Sequence, residues 1–143
     1  MNIIRISTEL LLTVHEFPEE KTICEQNKVL RGLIGRDCSM YEHVMPKRLY
    51  KVLGGSNRVT NKPGNCVNML VDEEGILKGL PYNLVGSYLY ETDIHGNYIV
   101  GNILIAGEVM TEDGICFCGM SEEQFNLLYP QLEKITEKAR KRK

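Results

Sequence analysis

The sequence predicts an α+β fold: a single domain over residues 1–143 with a mostly antiparallel sheet, one helix in the N-terminal half and a C-terminal helix. Three observations carry that prediction. Short apolar segments at strand spacing recur along the chain and are joined by tight turns. Two further segments place apolar residues at steps of three and four next to capping residues. A chain of 143 residues is long enough for one real core and too short to expect two.

The elements follow in order. "NIIRIST" and "LLLTVHEF" alternate as paired strands, and Pro18 stops the second. From about Thr22 the positions Ile23, Leu30, Leu33 and Ile34 recur at helical spacing, and Gly35 is a natural C-cap. "CSMYEHVM" reads as a third strand ended by Pro46. "LYKVL" fits either a strand or one helical turn, and "GGSNRVTNKPGN" carries the signals of a loop. "CVNMLV" resumes a strand that turns at Asp72–Gly75, and "GILKGLPYN" is extended or looped. "LVGSYLY" suits a brief helix. "IVGNILIAGEV" is apolar on both faces, which places it centrally in the sheet, with "GICFCGM" as its neighbour across a hairpin. Ser121-Glu122-Glu123-Gln124 forms a capping box that opens the last helix, where Phe125, Leu128, Leu132, Ile135 and Ala139 make one stripe. Pro130 predicts a kink or a junction of two short helices.

Composition narrows the function classes. Apolar residues are 43% and charged residues 25%, as in an ordinary soluble globule. No apolar run approaches the roughly 20 residues that span a bilayer, and the N-terminal stretch lacks a cleavage pattern, so a cytoplasmic protein is expected. Five cysteines in that setting read as free thiols, and Cys116-x-Cys118 lacks the further ligands that a metal needs. No cofactor and no metal are expected. His15, His43 and His95 stand alone, and no nucleophile or zinc signature occurs, so the sequence is read as that of a non-enzyme.

The net charge of −2 hides an asymmetry. The tail at 138–143, "KARKRK", holds five of the 17 basic residues, leaving 12 against 19 acids, a net of −7, in the rest of the chain. A second basic stretch, 47–65, carries Lys47, Arg48, Lys51, Arg58 and Lys62 without one acid. Successive amides around Gly54 and Gly55 can form an anion-binding concavity, with Arg58 and Lys62 supplying charge. The competing reading is a solvated loop.

One block resembles a known family. "VNMLVDEEGILKGLPYN", then "YIVGNILIAGE", then "GMSEEQ" is similar to the proteins catalogued as domain of unknown function 3846. The residues that carry the resemblance are Glu73, Glu74, Gly75, Gly79, Leu80, Pro81 and Asn83, followed by Ile99-Val100-Gly101 and Ser121-Glu122-Glu123-Gln124. Asp72 stands where the family pattern has Asn. The resemblance implies an accessory product of a phage, plasmid or integrative element. The motif also has a structural reading, in which Gly75 takes a positive φ, Pro81 restricts the chain and Asn83 caps the helix that follows.

Together these features lead to a non-catalytic binding protein that counters host defence by sequestering a phosphorylated or nucleotide-like small molecule. The alternative is an inhibitor that docks on a host defence protein through an acidic surface. A nucleic-acid-binding role is third, because the pI is about 5.9 and no reading motif is present. A homo-oligomer is compatible with either of the first two readings.

Overall fold

The computed structural model describes residues 1–142. Strands β1 (Asn2–Ile6) and β2 (Leu12–Glu16) form the expected hairpin, in register from Asn2–Glu16 to Ile6–Leu12. Helix α1 (Ile23–Ile34) starts where Thr22 Oγ1 accepts from the Glu25 amide at 3.2 Å. Strand β3 (Tyr41–Val44), helix α2 (Lys47–Lys51) and strand β4 (Cys66–Asp72) follow. Two short helices, α3 (Leu84–Leu89) and α4 (Thr92–His95), precede the hairpin of β5 (Ile103–Thr111) and β6 (Gly114–Cys118). Helix α5 (Glu122–Lys141) closes the chain.

All strand pairs are antiparallel, in the order β2-β1-β5-β4-β3. The long β5 is central, as its two apolar faces require. One of its edges meets β4; the other is shared end to end by β1 along Ile103–Ile105 and by β6 along Gly107–Thr111.

Alternation along the strands divides the core between the two faces of the sheet. On one face Ile4, Ile6, Met69 and Ile105 pack with Leu49 of α2, Leu89 of α3, and Leu128 and Leu132 of α5. On the other, Ile3, Leu70, Leu104 and Ala106 meet Leu30 and Ile34 of α1. Each face therefore has its own helical cover.

Several sequence expectations change. The segment 47–65 is not all loop: Lys47–Lys51 is helical, because Leu49 is drawn fully into the core and the chain turns around it. The C-terminal helix runs through Pro130, which is exposed, so water can solvate the carbonyl that its ring leaves unpaired. The tail at 138–143 is the last turn of that helix as far as Lys141; Lys143 lies outside the described residues. Only half of the capping box forms. Ser121 Oγ accepts from the Gln124 amide, but Gln124 Oε1 accepts from the Ser56 amide at 3.1 Å instead of returning to Ser121. Ile23 is exposed at the start of α1 and adds nothing to the core.

Candidate functional site

The basic stretch splits into two environments. Arg48, on α2, is drawn onto α3 and α4: its Nη1 donates to Asp93 Oδ1 at 2.8 Å and to the Tyr88 carbonyl at 2.7 Å, and Nη2 donates to Asp93 Oδ2 at 3.1 Å. The guanidinium carbon also lies 4.6 Å from the centre of the Tyr88 ring. The Arg48 hydrogen bond holds the Asp93 carboxyl below the usual carboxylate range. Lys51 reaches the Glu91 carboxylate at 3.6 Å, and Lys47 is exposed.

Arg58 and Lys62 are exposed on the following loop and take part in no ion pair among the described residues. The anion-binding concavity expected at Gly54-Gly55 meets different geometry. The Gly55 amide donates to the Leu49 carbonyl at 3.0 Å and the Ser56 amide to Gln124, so two of the needed donors are already engaged. Gly55 itself is tightly packed, since a Cβ there would press on Val67 at 3.1 Å. The Arg58 and Lys62 amides donate to the hydroxyls of Ser56 and Thr60.

A groove opens instead along α3. One part, of about 430 Å³, is bounded by Arg48, Tyr82, Ser87, Tyr88 and Asp93. The adjoining part, of about 300 Å³, runs between α3 and the end of α5, against Ile135, Lys138, Ala139 and Arg142. Leu84 and Tyr88 belong to both, so the two parts meet at these side chains. Both volumes fall in the range of about 300–1,000 Å³ found for small-molecule sites. The Tyr82 ring leans on the Tyr98 ring at 5.8 Å, extending the aromatic surface at one end. Ser87 Oγ and Thr92 Oγ1 donate to the backbone carbonyls of Ile99 and Asn97.

The family model described as Domain of unknown function (DUF3846) matches residues 10–135. The chain belongs to this family. No curated protein and no solved structure matches it.

The DUF3846 motif residues do not line the groove; the motif's Asn83 anchors α3, the helix along which it runs. Asn83, fully buried, is the hub: its Oδ1 accepts from the Gly86 amide at 2.9 Å, and its Nδ2 donates to the carbonyls of Ile6 at 3.1 Å and Gly101 at 2.8 Å. One side chain thus caps α3 and ties it to β1 and to the approach to β5. The Gly101 amide donates to the Pro81 carbonyl at 2.8 Å, and Tyr82 bridges to Val100. Leu80 and Gly101 are in close contact, and Ile99 is buried against the core that also holds Val85. Glu73 and Glu74 are exposed at the turn after β4, where Glu74 accepts from Ser39 Oγ at 3.0 Å.

One detail of the motif is corrected. Gly75 does not take a positive φ; Gly79 (φ 69°) and Gly101 (φ 79°) do. Gly75 is needed for proximity, because a Cβ there would lie 2.8 Å from Val100 Cγ2. Asp72, buried at the end of β4, is paired by Lys78 Nζ at 2.8 Å.

Of the sequence-predicted ligand residues, Arg48 lines the groove, whereas Lys47, Lys51, Gly54, Gly55, Arg58 and Lys62 do not. Tyr82, Leu84, Tyr88, Lys138 and Arg142 were not picked out as site residues by sequence. One signal for them was available: residues 82–98 hold four of the seven tyrosines, and Tyr82, Tyr88 and Tyr98 are all substantially exposed. Exposed aromatic rings gathered on one surface are a feature of binding sites.

Proposed function

We propose that this DUF3846 protein is a non-catalytic binding protein for a phosphorylated, nucleotide-like small molecule, held in the groove along α3. The observation that carries the reading is the place of Tyr88, on the line where the two parts of the groove meet. Arg48, committed to Asp93, lies to one side of it, and the cations Lys138 and Arg142 lie to the other. A planar base needs a ring to stack on, and a phosphate needs a cation within reach of that ring.

The non-catalytic part of the reading is supported by the groove's polar groups. Ser87 and Thr92 direct their hydroxyls at backbone carbonyls, and Asp93 is engaged by Arg48, so none is poised as a nucleophile or base. Binding without turnover withdraws a ligand from circulation. In a mobile-element accessory protein, withdrawal of a defence signal is the role that fits best.

The test is calorimetric titration of wild-type protein with a panel of linear and cyclic nucleotides, repeated with Tyr88→Ala and with Arg58→Ala/Lys62→Ala. A stacked base contributes about 1–3 kcal/mol, so Tyr88→Ala is expected to weaken binding roughly five- to a hundredfold. The loop double variant is expected to bind like wild type. Absence of binding to every nucleotide, or loss confined to the loop variant, would overturn the groove assignment.

A further inference from the structure

The two ends of the groove differ in charge, and we infer from this the class and direction of its ligand: a nucleoside with one terminal phosphate, bound with the phosphate between Lys138 and Arg142 and the uncharged sugar or base edge at Asp93. The inference rests on the groove reading above and adds polarity to it.

At the α4 end, Arg48 is not available as an anion receptor. Its forked donors face both Asp93 oxygens, and one of them also faces the Tyr88 carbonyl. The pair is neutral as a unit, and its accessible member is the acid: the Asp93 side chain is 64% exposed against 13% for Arg48. A carboxylate is an acceptor only, so this end suits a hydroxyl or amine donor and repels a second anion.

At the α5 end the lining has the opposite character. Lys138 and Arg142 are exposed, no acidic side chain lines that part of the groove, and neither cation takes part in an ion pair among the described residues. Both stand near the C-terminus of a 20-residue helix. There the helix dipole is negative, so the phosphate is held by the side chains rather than by backbone amides. Ile135 and Ala139, one turn apart on the same helix, give the intervening surface its apolar character.

The polarity separates two ligand classes that stacking alone would not. A nucleoside monophosphate presents charge at one end and hydroxyls at the other. A cyclic dinucleotide presents phosphates on both flanks of each sugar, and one of them would meet Asp93.

The experiment compares adenosine, adenosine 5′-monophosphate and cyclic di-adenosine monophosphate on wild type, Asp93→Asn and Lys138→Ala/Arg142→Ala, by calorimetric titration with circular dichroism as a check on folding. Wild type is expected to favour the monophosphate over the cyclic dinucleotide by about tenfold or more. Lys138→Ala/Arg142→Ala is expected to lose roughly ten- to a hundredfold for the monophosphate while leaving adenosine within about twofold. Asp93→Asn, which releases Arg48, is expected to raise cyclic dinucleotide affinity about tenfold. If the cyclic dinucleotide binds wild type as tightly as the monophosphate, or Asp93→Asn leaves their ratio unchanged, the polarity is wrong although the groove reading stands. If none of the three ligands binds, the polarity fails, and the wider nucleotide panel then decides the groove reading.

Discussion

Asn68 on β4 donates from its side-chain amide to the Glu108 carboxylate on β5, and its own carbonyl oxygen lies buried without a partner. Both residues are buried, on the sheet face that α1 covers only in part, and His43 Nε2 stands 3.7 Å from the same carboxylate. The amide thus donates to a carboxyl group held inside the fold.

That relationship predicts a non-additive pair of substitutions. Asn68→Leu removes the donor and leaves Glu108 under-satisfied, and is expected to cost about 1–3 kcal/mol in urea denaturation. Adding Glu108→Met replaces both polar partners by apolar groups of similar shape and is expected to recover most of the loss. A double variant as unstable as the sum of the two single variants would show that the pair does not act as a unit.

Three glycines predict a rigid junction. A Cβ on Gly107 of β5 would collide with the backbone of Gly119 and Gly64, and Gly64 also sits at a φ of 78°. The close approach lets the Ser121 amide reach the Gly64 carbonyl at 3.0 Å, fixing the loop that follows Arg58 against the start of α5. Gly107→Ala is expected to destabilise the fold by about 2 kcal/mol or more, because backbone rather than a movable side chain has to yield. Gly96→Ala, at an exposed turn with open space around it, is expected to cost less despite its φ of 85°. Thermal melts of the two variants give the comparison.

The stripe on α5 predicts a graded loss. Leu128 is fully buried and central to the core, so Leu128→Ala is expected to cost about 2–5 kcal/mol. Phe125 is only partly covered and stacks on Tyr129 at 5.2 Å, so Phe125→Ala is expected to cost less. Equal losses in chemical denaturation would contradict this division.

The thiols predict both reactivity and pH dependence. All five cysteines are free, with Cys24 exposed and Cys38, Cys66 and Cys118 buried. Burial, with the Glu108 charge, pushes the Cys66 thiol up to about 11, and burial pushes Cys118 up to about 11. At pH 8 a disulfide reagent is expected to modify Cys24 first and Cys66 and Cys118 last; in denaturant all five are expected to react. The linkage has one sign. Unfolded thiols ionise near 9 while these two stay protonated in the folded chain, so their contribution is complete below pH 9 and is lost as pH rises through about 11. Cys66→Ala/Cys118→Ala is expected to flatten the stability profile over that interval.

The sequence by itself determined the features that depend on near neighbours. Alternation placed β1 and β2, apolar character on both faces placed β5 centrally, and Asn83 and Ser121 marked two helix starts through the amides three residues on. The family motif was legible for the same reason, as a run of turn and cap residues whose spacing is local. The tertiary structure alone decided what those elements bring together. Arg48 meets Asp93 across 45 residues, Gln124 leaves its own cap for Ser56 across 68, and Tyr88 shares a groove with Lys138 and Arg142 only because α3 and α5 pack on one face of the sheet. Local propensity is set within a few residues of each position. A charge pair or a groove depends on which apolar faces are buried against each other, and only the completed core fixes that.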